Sequence, residues 1–188
     1  PLPADRVLFG FPGAGGGYDA AGVLHGALLR SITLGTVDGF PARRERTVRE
    51  AFQQAGFLVK DEKDMRGWLW LHFVMDAGMF SQALSSGGLA NMIGDRRALR
   101  DAFMTSRELL PLLEARGVDL RLHRTATLAA RFPRLTGAIS ACATALFPIA
   151  RASLGAHTEP NAVEPRAVIE DTLRKARQLG IATPRLGL

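Results

Sequence analysis

The chain changes from strands to helices within residues 55–76, AGFLVKDEKDMRGWLWLHFVMD. Phe57 to Lys60 is a short apolar run that ends in charged residues, which is typical of a strand. Asp64 is a residue type that caps helices, and we expect it to begin a helix that reaches about Leu84 and stops at Gly87-Gly88. From this point onward the chain should form a helical body.

The residues before this segment predict a small β-rich part. Arg6 to Phe11 (RVLFGF) is an apolar run that Pro12-Gly13 should stop. Two further short runs, Val23 to Leu29 and Ser31 to Val37, are also typical of strands. Arg43 to Ala55 carries its apolar residues at helical spacing and therefore predicts a surface helix.

Three more helical stretches follow the first long helix. Asp95 to Arg116 should form one helix that ends at the next glycine. Residues 125–150 should form one or two apolar helices, broken at their two prolines. Pro165 suits the first position of a last helix that stops at Gly180. The predicted fold class is therefore mainly α with a small N-terminal β part.

The composition is that of a folded domain. The chain has 188 residues, of which 47% are hydrophobic and 22% are charged. Its longest weakly polar run, Gly137 to Ala150, is shorter than the roughly 20 residues that cross a membrane, so we expect no membrane span. The single cysteine, Cys142, cannot form an internal disulfide, and its apolar helix predicts a buried, unreactive thiol. A reducing cytoplasm is the expected compartment.

The net charge of +6 does not predict nucleic-acid binding. The basic excess is diffuse, and its tightest cluster, Arg43 to Arg49, is interrupted by Glu45 and followed by Glu50. No aromatic residues are interleaved with these arginines for base stacking. A mixed-charge run of this kind is typical of a solvated helix face.

A glycine-rich stretch follows the first predicted strand. Gly15 to Ala20 matches G-x-G-x-x-A, and Asp38 follows close to twenty residues later, which is the spacing of a dinucleotide-binding fingerprint. Against this interpretation, Pro12-Gly13 lengthens the turn, and the next segment shows no helical stripe. No strong strand signals follow Lys60. We therefore favour a glycine-rich β-loop over a complete dinucleotide fold.

The order of several segments resembles a known family. VLFG at 7–10, the glycine-rich loop, GVLHG at 22–26, ITLG at 32–35, the segment 55–76 and ARQLGIATP at 176–184 together resemble ketopantoate reductase, 2-dehydropantoate 2-reductase. The resemblance runs from about Val7 to Pro184 in one consistent order. Its sharpest points are the helix entry Asp64-Met65-Arg66 to Trp70 and the ending at Thr183-Pro184.

The resemblance implies a two-domain oxidoreductase related to 6-phosphogluconate dehydrogenase. Residues 1–62 would supply the terminal strands and helix of a Rossmann-like nucleotide-binding domain. Residues 63–188 would form an all-helical domain for substrate binding and dimerisation. Because the family's phosphate-binding GxGxxG precedes these segments, the chain would be a fragment that lacks most of the Rossmann half. The implied cofactor is NADP, to which we assign Gly16 and Gly17 of the glycine-rich loop.

The implied reaction is NADP-dependent reduction of a 2-oxo acid or a related small ketone, with a protein cation donating a proton to the oxygen. The family places a lysine two residues after the helix tryptophan, where Trp70 is followed by His72 in this chain. Asp76 and Phe80 replace two substrate-facing asparagines. A carboxylate beside His72 favours its cationic form, which suits a general acid. Asp76 would repel a substrate carboxylate, which disfavours ketopantoate itself.

His72, Asp76 and Phe80 also have a purely structural interpretation. Trp68, His72, Asp76 and Phe80 recur every four residues and so share one side of the helix. His72 and Asp76 would then be an ordinary hydrogen-bonded pair, partly buried under the two aromatic rings. The sequence leaves both interpretations open.

The last helix offers a second candidate carboxylate. Counting back from Pro184, Glu164 matches the family's glutamate that contacts the substrate hydroxyl and the cofactor ribose region. An acid at a helix start is also favourable without any function. A displacement of five residues would place Glu159 there instead. Ser153 is the candidate for the family's carboxylate-binding serine.

The remaining candidates are structural. His25 and His123 have no acidic or cysteine partner at ligand spacing, so no metal site is predicted. Two apolar stretches, Leu99 to Leu113 and Gly137 to Ala150, offer more apolar surface than one small core consumes, and they predict a homodimer. The alternative to the enzyme is a non-catalytic helical dimerisation or interaction module that has lost the lysine.

Overall fold

A computed structural model of the chain describes residues 3, 6–18, 21–36, 44–155 and 163–186. Within these residues the protein is mostly helical, with a small three-stranded sheet near the N-terminus. The elements are β1 (Leu8–Tyr18), β2 (Leu24–Thr36), α1 (Glu45–Gln54), β3 (Leu58–Asp61), α2 (Met65–Ser86), a 3-10 turn (Leu89–Met92), α3 (Arg96–Glu108), α4 (Leu110–Ala115), α5 (Arg124–Arg131), α6 (Pro133–Leu146), α7 (Pro148–Gly155) and α8 (Val163–Gln178).

The sheet has the order β1-β2-β3. β1 and β2 form an antiparallel hairpin, whereas β3 pairs with β2 in parallel, from Ser31↔Leu58 to Leu34↔Asp61. The parallel pairing follows from the connection through α1, since parallel strands need a crossover. Ile32 and Leu34 of β2 are buried. The sheet thereby joins its apolar residues to the helical body.

The structure corrects the prediction that Pro12-Gly13 stops the first strand, because β1 continues to Tyr18. The register of the hairpin shifts between Pro12 and Ala14, which marks a β-bulge. Proline lacks a ladder N–H and is tolerated at a bulge on an edge strand. A Cβ on Gly13 would lie 2.5 Å from Ser31 Oγ, so a larger residue here would require the Ser31 side chain to move.

The two strands predicted over 23–29 and 31–37 are one strand in the structure, β2. Arg30 lies between them with a φ of 45°, a conformation that is uncommon for a residue with a side chain. The chain bends at this residue while remaining paired with β1 on both sides. Sequence patterns favour a break at such a point, whereas the pairing keeps the strand continuous.

The long helix α2 is the centre of the helical body and confirms its predicted ends. The Asp64 side chain accepts a hydrogen bond from the backbone N–H of Gly67 at 3.0 Å, and Gly87 ends the helix with a φ of 77°. α2 packs closely on α3, because a Cβ on Gly78 would lie 2.6 Å from the carbonyl oxygen of Ala102. It also packs against α8.

The helix predicted over 95–116 is two helices, α3 and α4, which meet at the buried Leu109. Pro111 is the reason, because its missing N–H cannot bond to the turn before it, whereas proline is accepted in the first turn of a new helix. Asp95 caps α3 as its sequence position predicts, accepting hydrogen bonds from the backbone N–H of Arg97 and Ala98.

The later helices begin at or near prolines. The chain breaks at Pro133 and Pro148 as predicted, but the two breaks give three helices, α5, α6 and α7, rather than one or two, and α7 continues to Gly155. α8 begins at Val163, two residues before the predicted Pro165, and Gly180 follows its end with a φ of 68°. Proline near the start of a helix is tolerated because the first turn has no intrahelical donor to lose.

Cys142 is exposed, so the prediction of a buried thiol is wrong. α6 buries Gly137, Ala141 and Thr144, and Cys142 lies on the opposite face. An apolar composition does not tell which face of a helix is covered. None of the helices in the described ranges combines the length and the hydropathy that crossing a bilayer requires.

Candidate functional site

A cleft of about 460 Å³ lies between the β1–β2 hairpin and the helices α2, α7 and α8. Phe11 to Gly15 of β1 and Leu29 of β2 form one wall, on either side of the bulge. The other walls come from the 3-10 turn and the three helices. Their lining residues are His72, Phe73, Asp76, Met79, Phe80, Leu89, Leu154, Glu164 and Val168.

His72 and Asp76 form a pair at the floor of the cleft. His72 Nε2 lies 3.3 Å from Asp76 Oδ2, as their spacing of four residues on α2 predicts. The two side chains are 36% and 34% exposed, so a ligand in the cleft can reach them. Both the structural and the functional interpretations of the pair are compatible with this geometry.

Two aromatic rings hold the imidazole of His72. Trp68, one turn earlier on α2, stacks on it with the ring centroids 5.5 Å apart and an angle of 8°. Phe11 of β1 meets it edge-on at 4.3 Å. Because Phe11 also packs on Trp68 at 5.0 Å, the hairpin and α2 share one aromatic cluster. The cluster limits the orientations of the imidazole and places one of its faces in apolar surroundings.

Phe80 and Glu164 also line the cleft, but they differ in exposure. Phe80 is only 6% exposed and belongs mainly to the hydrophobic core, so it contributes an apolar wall rather than a polar contact. Glu164 is exposed in the first turn of α8, where the helix dipole favours a negative charge. The cleft therefore brings together His72, Asp76, Phe80 and Glu164, which the sequence singled out separately.

Two candidates fall partly or wholly outside the described residues. Ser153 lies in α7, next to Leu154 of the cleft lining, but its side chain is not described. Glu159, the alternative to Glu164, lies between the described ranges 44–155 and 163–186.

The glycines assigned to the cofactor do not form a dinucleotide fingerprint. Gly16 and Gly17 lie inside β1, opposite Gly26 and His25 of β2. The fingerprint requires a strand, a tight turn and a helix whose N-terminus faces the pyrophosphate, whereas this strand continues into a hairpin. Asp38, the proposed ribose ligand, lies outside the described residues. The described glycines therefore do not fit the pyrophosphate of NADP.

A second histidine–carboxylate pair lies at the entry to α2. His123 Nε2 is 3.0 Å from Asp64 Oδ2, and the His123 side chain is only 2% exposed. Asp64 thereby caps α2 with one oxygen and satisfies His123 with the other. The sequence missed this partner because 59 residues separate the two, although the structural role expected for His123 agrees with its burial.

Arg116, Asp119 and Arg121 have perturbed pKa values and are not among the lining residues of the cleft. The Arg116 guanidinium lies 3.7 Å from the centre of the Trp70 ring, and its burial lowers the pKa of Arg116. Hydrogen bonds from Arg121 lower the pKa of the Asp119 carboxyl. The described part of the chain contains no group of three His, Cys, Asp or Glu residues arranged to hold a metal ion.

The cleft thus offers a histidine held by a carboxylate, a second carboxylate from α8 and a largely apolar lining. Such a pair can donate and accept a proton, and the apolar walls strengthen its interactions with a ligand. Comparison of the chain with protein-family models, with curated proteins and with solved structures found no match.

Proposed function

We propose that the cleft binds a small ketone and that the protein takes part in its reduction, as an oxidoreductase of the ketopantoate reductase type. The observation that carries this proposal is that His72, Asp76 and Glu164 line one cleft. The resemblance places substrate contacts at these positions. In this proposal the helical body is the substrate domain, and residues 1–62 are the last part of a Rossmann-like domain.

His72 is the proton donor in this proposal. Its Nε2 faces Asp76, so the Nδ1 atom remains for the substrate oxygen. When the ketone carbon gains a hydride, the oxygen becomes an alkoxide and accepts the proton from Nδ1. Asp76 orients the imidazole through its contact with Nε2. Trp68 and Phe11 hold the ring in place, which limits the reorganisation that the transfer requires.

The charges of the cleft favour a neutral ketone over a 2-oxo acid. Asp76 and Glu164 both line the cleft and both repel a carboxylate. Glu164 can instead accept a hydrogen bond from a hydroxyl group of the substrate. Phe80 and Met79 offer an apolar surface to the rest of the molecule. The proposed substrate is therefore a small ketone that carries a hydroxyl group and no acid.

The hydride in such a reduction comes from a reduced nicotinamide, for which NADPH is the proposed source. Gly16 and Gly17 are paired with Gly26 and His25 in the β1–β2 hairpin, which differs from the strand, turn and helix of a pyrophosphate site. The proposal therefore assigns cofactor binding to residues other than these two glycines. The role of the described residues is to bind the ketone and to deliver the proton.

The test is a panel of neutral hydroxyketones and 2-oxo acids, assayed for NADPH oxidation by the full-length protein, which includes the nucleotide-binding half that this proposal places before residue 1. We expect turnover of at least one neutral ketone and weaker turnover of the acids. Asp76→Asn should shift the preference toward the acids. If no member of the panel is reduced, the proposed activity is wrong.

Ligand binding can be measured separately from turnover. The chain has two tryptophans, Trp68 and Trp70. In a Trp70→Phe variant, the emission reports only on Trp68, which stacks on His72 at the floor of the cleft. A ketone that enters the cleft should change this emission with a saturable dependence on concentration. An unchanged emission with every ketone of the panel would contradict the assignment of the cleft.

One observation favours a second candidate, the non-catalytic dimerisation module. Leu135, Ile139, Cys142 and Leu146 are all exposed on α6, at spacings of four, three and four residues. This spacing places them on one face of the helix. An exposed apolar face of this kind is typical of an interface between subunits. The enzyme and the module make different predictions for variants of this face and of the cleft.

A further inference from the structure

A second cavity, of about 300 Å³, lies between α3 and α6 and is lined by Arg96, Arg97, Arg100 and Arg134. We call it the arginine cavity. None of its lining residues belongs to the cleft of His72. It is a separate site with a different chemistry, because its lining side chains all carry the same charge.

The close approach of two helices brings these arginines together. A Cβ on Gly137 of α6 would lie 2.7 Å from the Cα of Arg100, so α6 meets α3 at backbone distance. Arg134 lies three residues before Gly137, on the same side of α6. Arg96 and Arg100 are one turn apart on α3. The glycine contact thus fixes Arg134 beside the arginines of the other helix.

The positive charge of the arginine cavity is poorly compensated. Arg100 pairs with Asp101 at 2.7 Å. The Asp95 carboxylate is used by the backbone, where it accepts hydrogen bonds from the N–H groups of Arg97 and Ala98. Arg96, Arg97 and Arg134 form no ion pair with a carboxylate of the described ranges.

The residues that precede and follow Arg134 in the sequence add no negative charge either. Residues 124–155 contain four arginines and no aspartate or glutamate. Arg96 and Arg97 also lie at the first turn of α3, where the helix dipole disfavours a cation. Arg96, Arg97 and Arg134 are exposed, so solvent screens the repulsion between them, and a bound anion would neutralise their charge directly.

We propose that the arginine cavity binds the oligophosphate group of a small molecule. Guanidinium groups present planar, paired donors that match phosphate oxygens. A phosphate group carries about 1.5 to 2 negative charges, so one phosphate is too few to balance the three arginines that lack an ion pair, whereas a group of at least two adjacent phosphates is sufficient. The volume lies at the lower end of small-molecule sites and suits such a group. No aromatic side chain lines the cavity for base stacking, which disfavours a nucleic acid.

The test is a calorimetric titration of the full chain with tripolyphosphate, with ATP and with orthophosphate. We expect tripolyphosphate to bind with one site per chain, at least tenfold more tightly than orthophosphate, because more guanidinium contacts form. Binding of ATP would show that the site also accepts an oligophosphate group that is part of a nucleotide. Absence of tripolyphosphate binding would overturn the proposal, and a DNA duplex titrated in the same way would then show whether this surface binds nucleic acid instead.

Charge-matched variants locate the site. Arg97→Gln with Arg134→Gln should weaken tripolyphosphate binding by about tenfold or more, the effect of losing charge-assisted hydrogen bonds. The control is Arg46→Gln with Arg174→Gln, which removes the same charge from arginines that are exposed and paired with Glu50 and Asp171. Equal weakening in both double variants would show a non-specific charge effect and overturn the proposal.

The proposal is independent of the function proposed for the cleft. His72→Phe should leave tripolyphosphate binding unchanged. The thermal midpoint of the wild type should rise with tripolyphosphate, since a ligand that binds only the folded state stabilises it. The double variant in the cavity should lose that rise while it stays folded by circular dichroism. A rise of the same size in both proteins would contradict the assignment.

Discussion

At the scale of single residues, the two histidine–aspartate pairs differ in their surroundings. His72 and Asp76 line an open cleft and are each about one-third exposed, whereas His123 is almost fully buried against Asp64. The first pair can meet a ligand. The second pair joins the start of α2 to the segment before α5. Removing it should lower the free energy of unfolding.

Asp64→Ala should lower the free energy of unfolding by about 2–4 kcal/mol, because it removes a helix cap and leaves the buried His123 without its partner. Asp95→Ala is the matched control, since Asp95 caps α3 and contacts no histidine. That variant should lose only about 1 kcal/mol. Urea denaturation measures both, and equal losses would show that the Asp64–His123 contact contributes nothing.

The two histidine–aspartate pairs also differ in whether the sequence could predict them. His72 and Asp76 are four residues apart on one helix, so the helical period alone places them in contact. Asp64 and His123 meet only through the packing of α2 against the chain before α5. The arginine cavity is of the second kind, because Arg134 reaches it from a different helix.

At the scale of elements, helix ends were predicted better than strand ends. A helix cap depends only on residues that are close in sequence, so Asp64, Gly87 and Asp95 could be identified from the residues next to them. Pro12-Gly13 has the sequence of a strand end, yet it lies at a bulge because the pairing with β2 resumes beyond it. Which strand is at the edge of a sheet is a tertiary property that the local pattern does not contain.

Packing between α2 and α3 depends on Gly78. A Cβ there would lie 2.6 Å from a backbone oxygen of α3 and 2.2 Å from Ser106 Oγ, so the two helices must move apart. Gly78→Ala should therefore lower the free energy of unfolding by about 1–3 kcal/mol, even though alanine favours a helix by about 1 kcal/mol. Thermal unfolding followed by circular dichroism measures this effect. An unchanged or raised midpoint would contradict the close packing.

At the scale of the whole molecule, the exposed face of α6 predicts self-association. Ile139→Glu places a charge in the middle of this face, and we expect it to turn a dimer into a monomer. Leu122→Glu is the control, because Leu122 is similarly exposed, at 68% against 60%, and lies outside α6. Light scattering at micromolar concentrations measures the mass. A wild type that is already monomeric would remove the predicted dimer.

At this scale, the sequence could predict only part of the site. The helical body and the small sheet could be predicted, because the spacing of the apolar residues changes near residue 64 from that of strands to that of helices. The cleft itself depends on how the hairpin lies against α2 and α8, and the sequence placed His72 and Glu164 together only through a family resemblance. The arrangement of the glycines could not be predicted, because the same residues suit a phosphate loop and a bulged strand.

The measurement that tests the central claim most directly is the turnover number of His72→Phe, on the ketone that the wild type reduces best. Phenylalanine keeps the ring between Trp68 and Phe11 and removes the proton. A positioned general acid contributes about 10²–10⁴-fold, so kcat should fall by that factor while the thermal midpoint stays close to that of the wild type. A kcat within about threefold of the wild type, well below a general-acid contribution, would show that His72 is a packing residue.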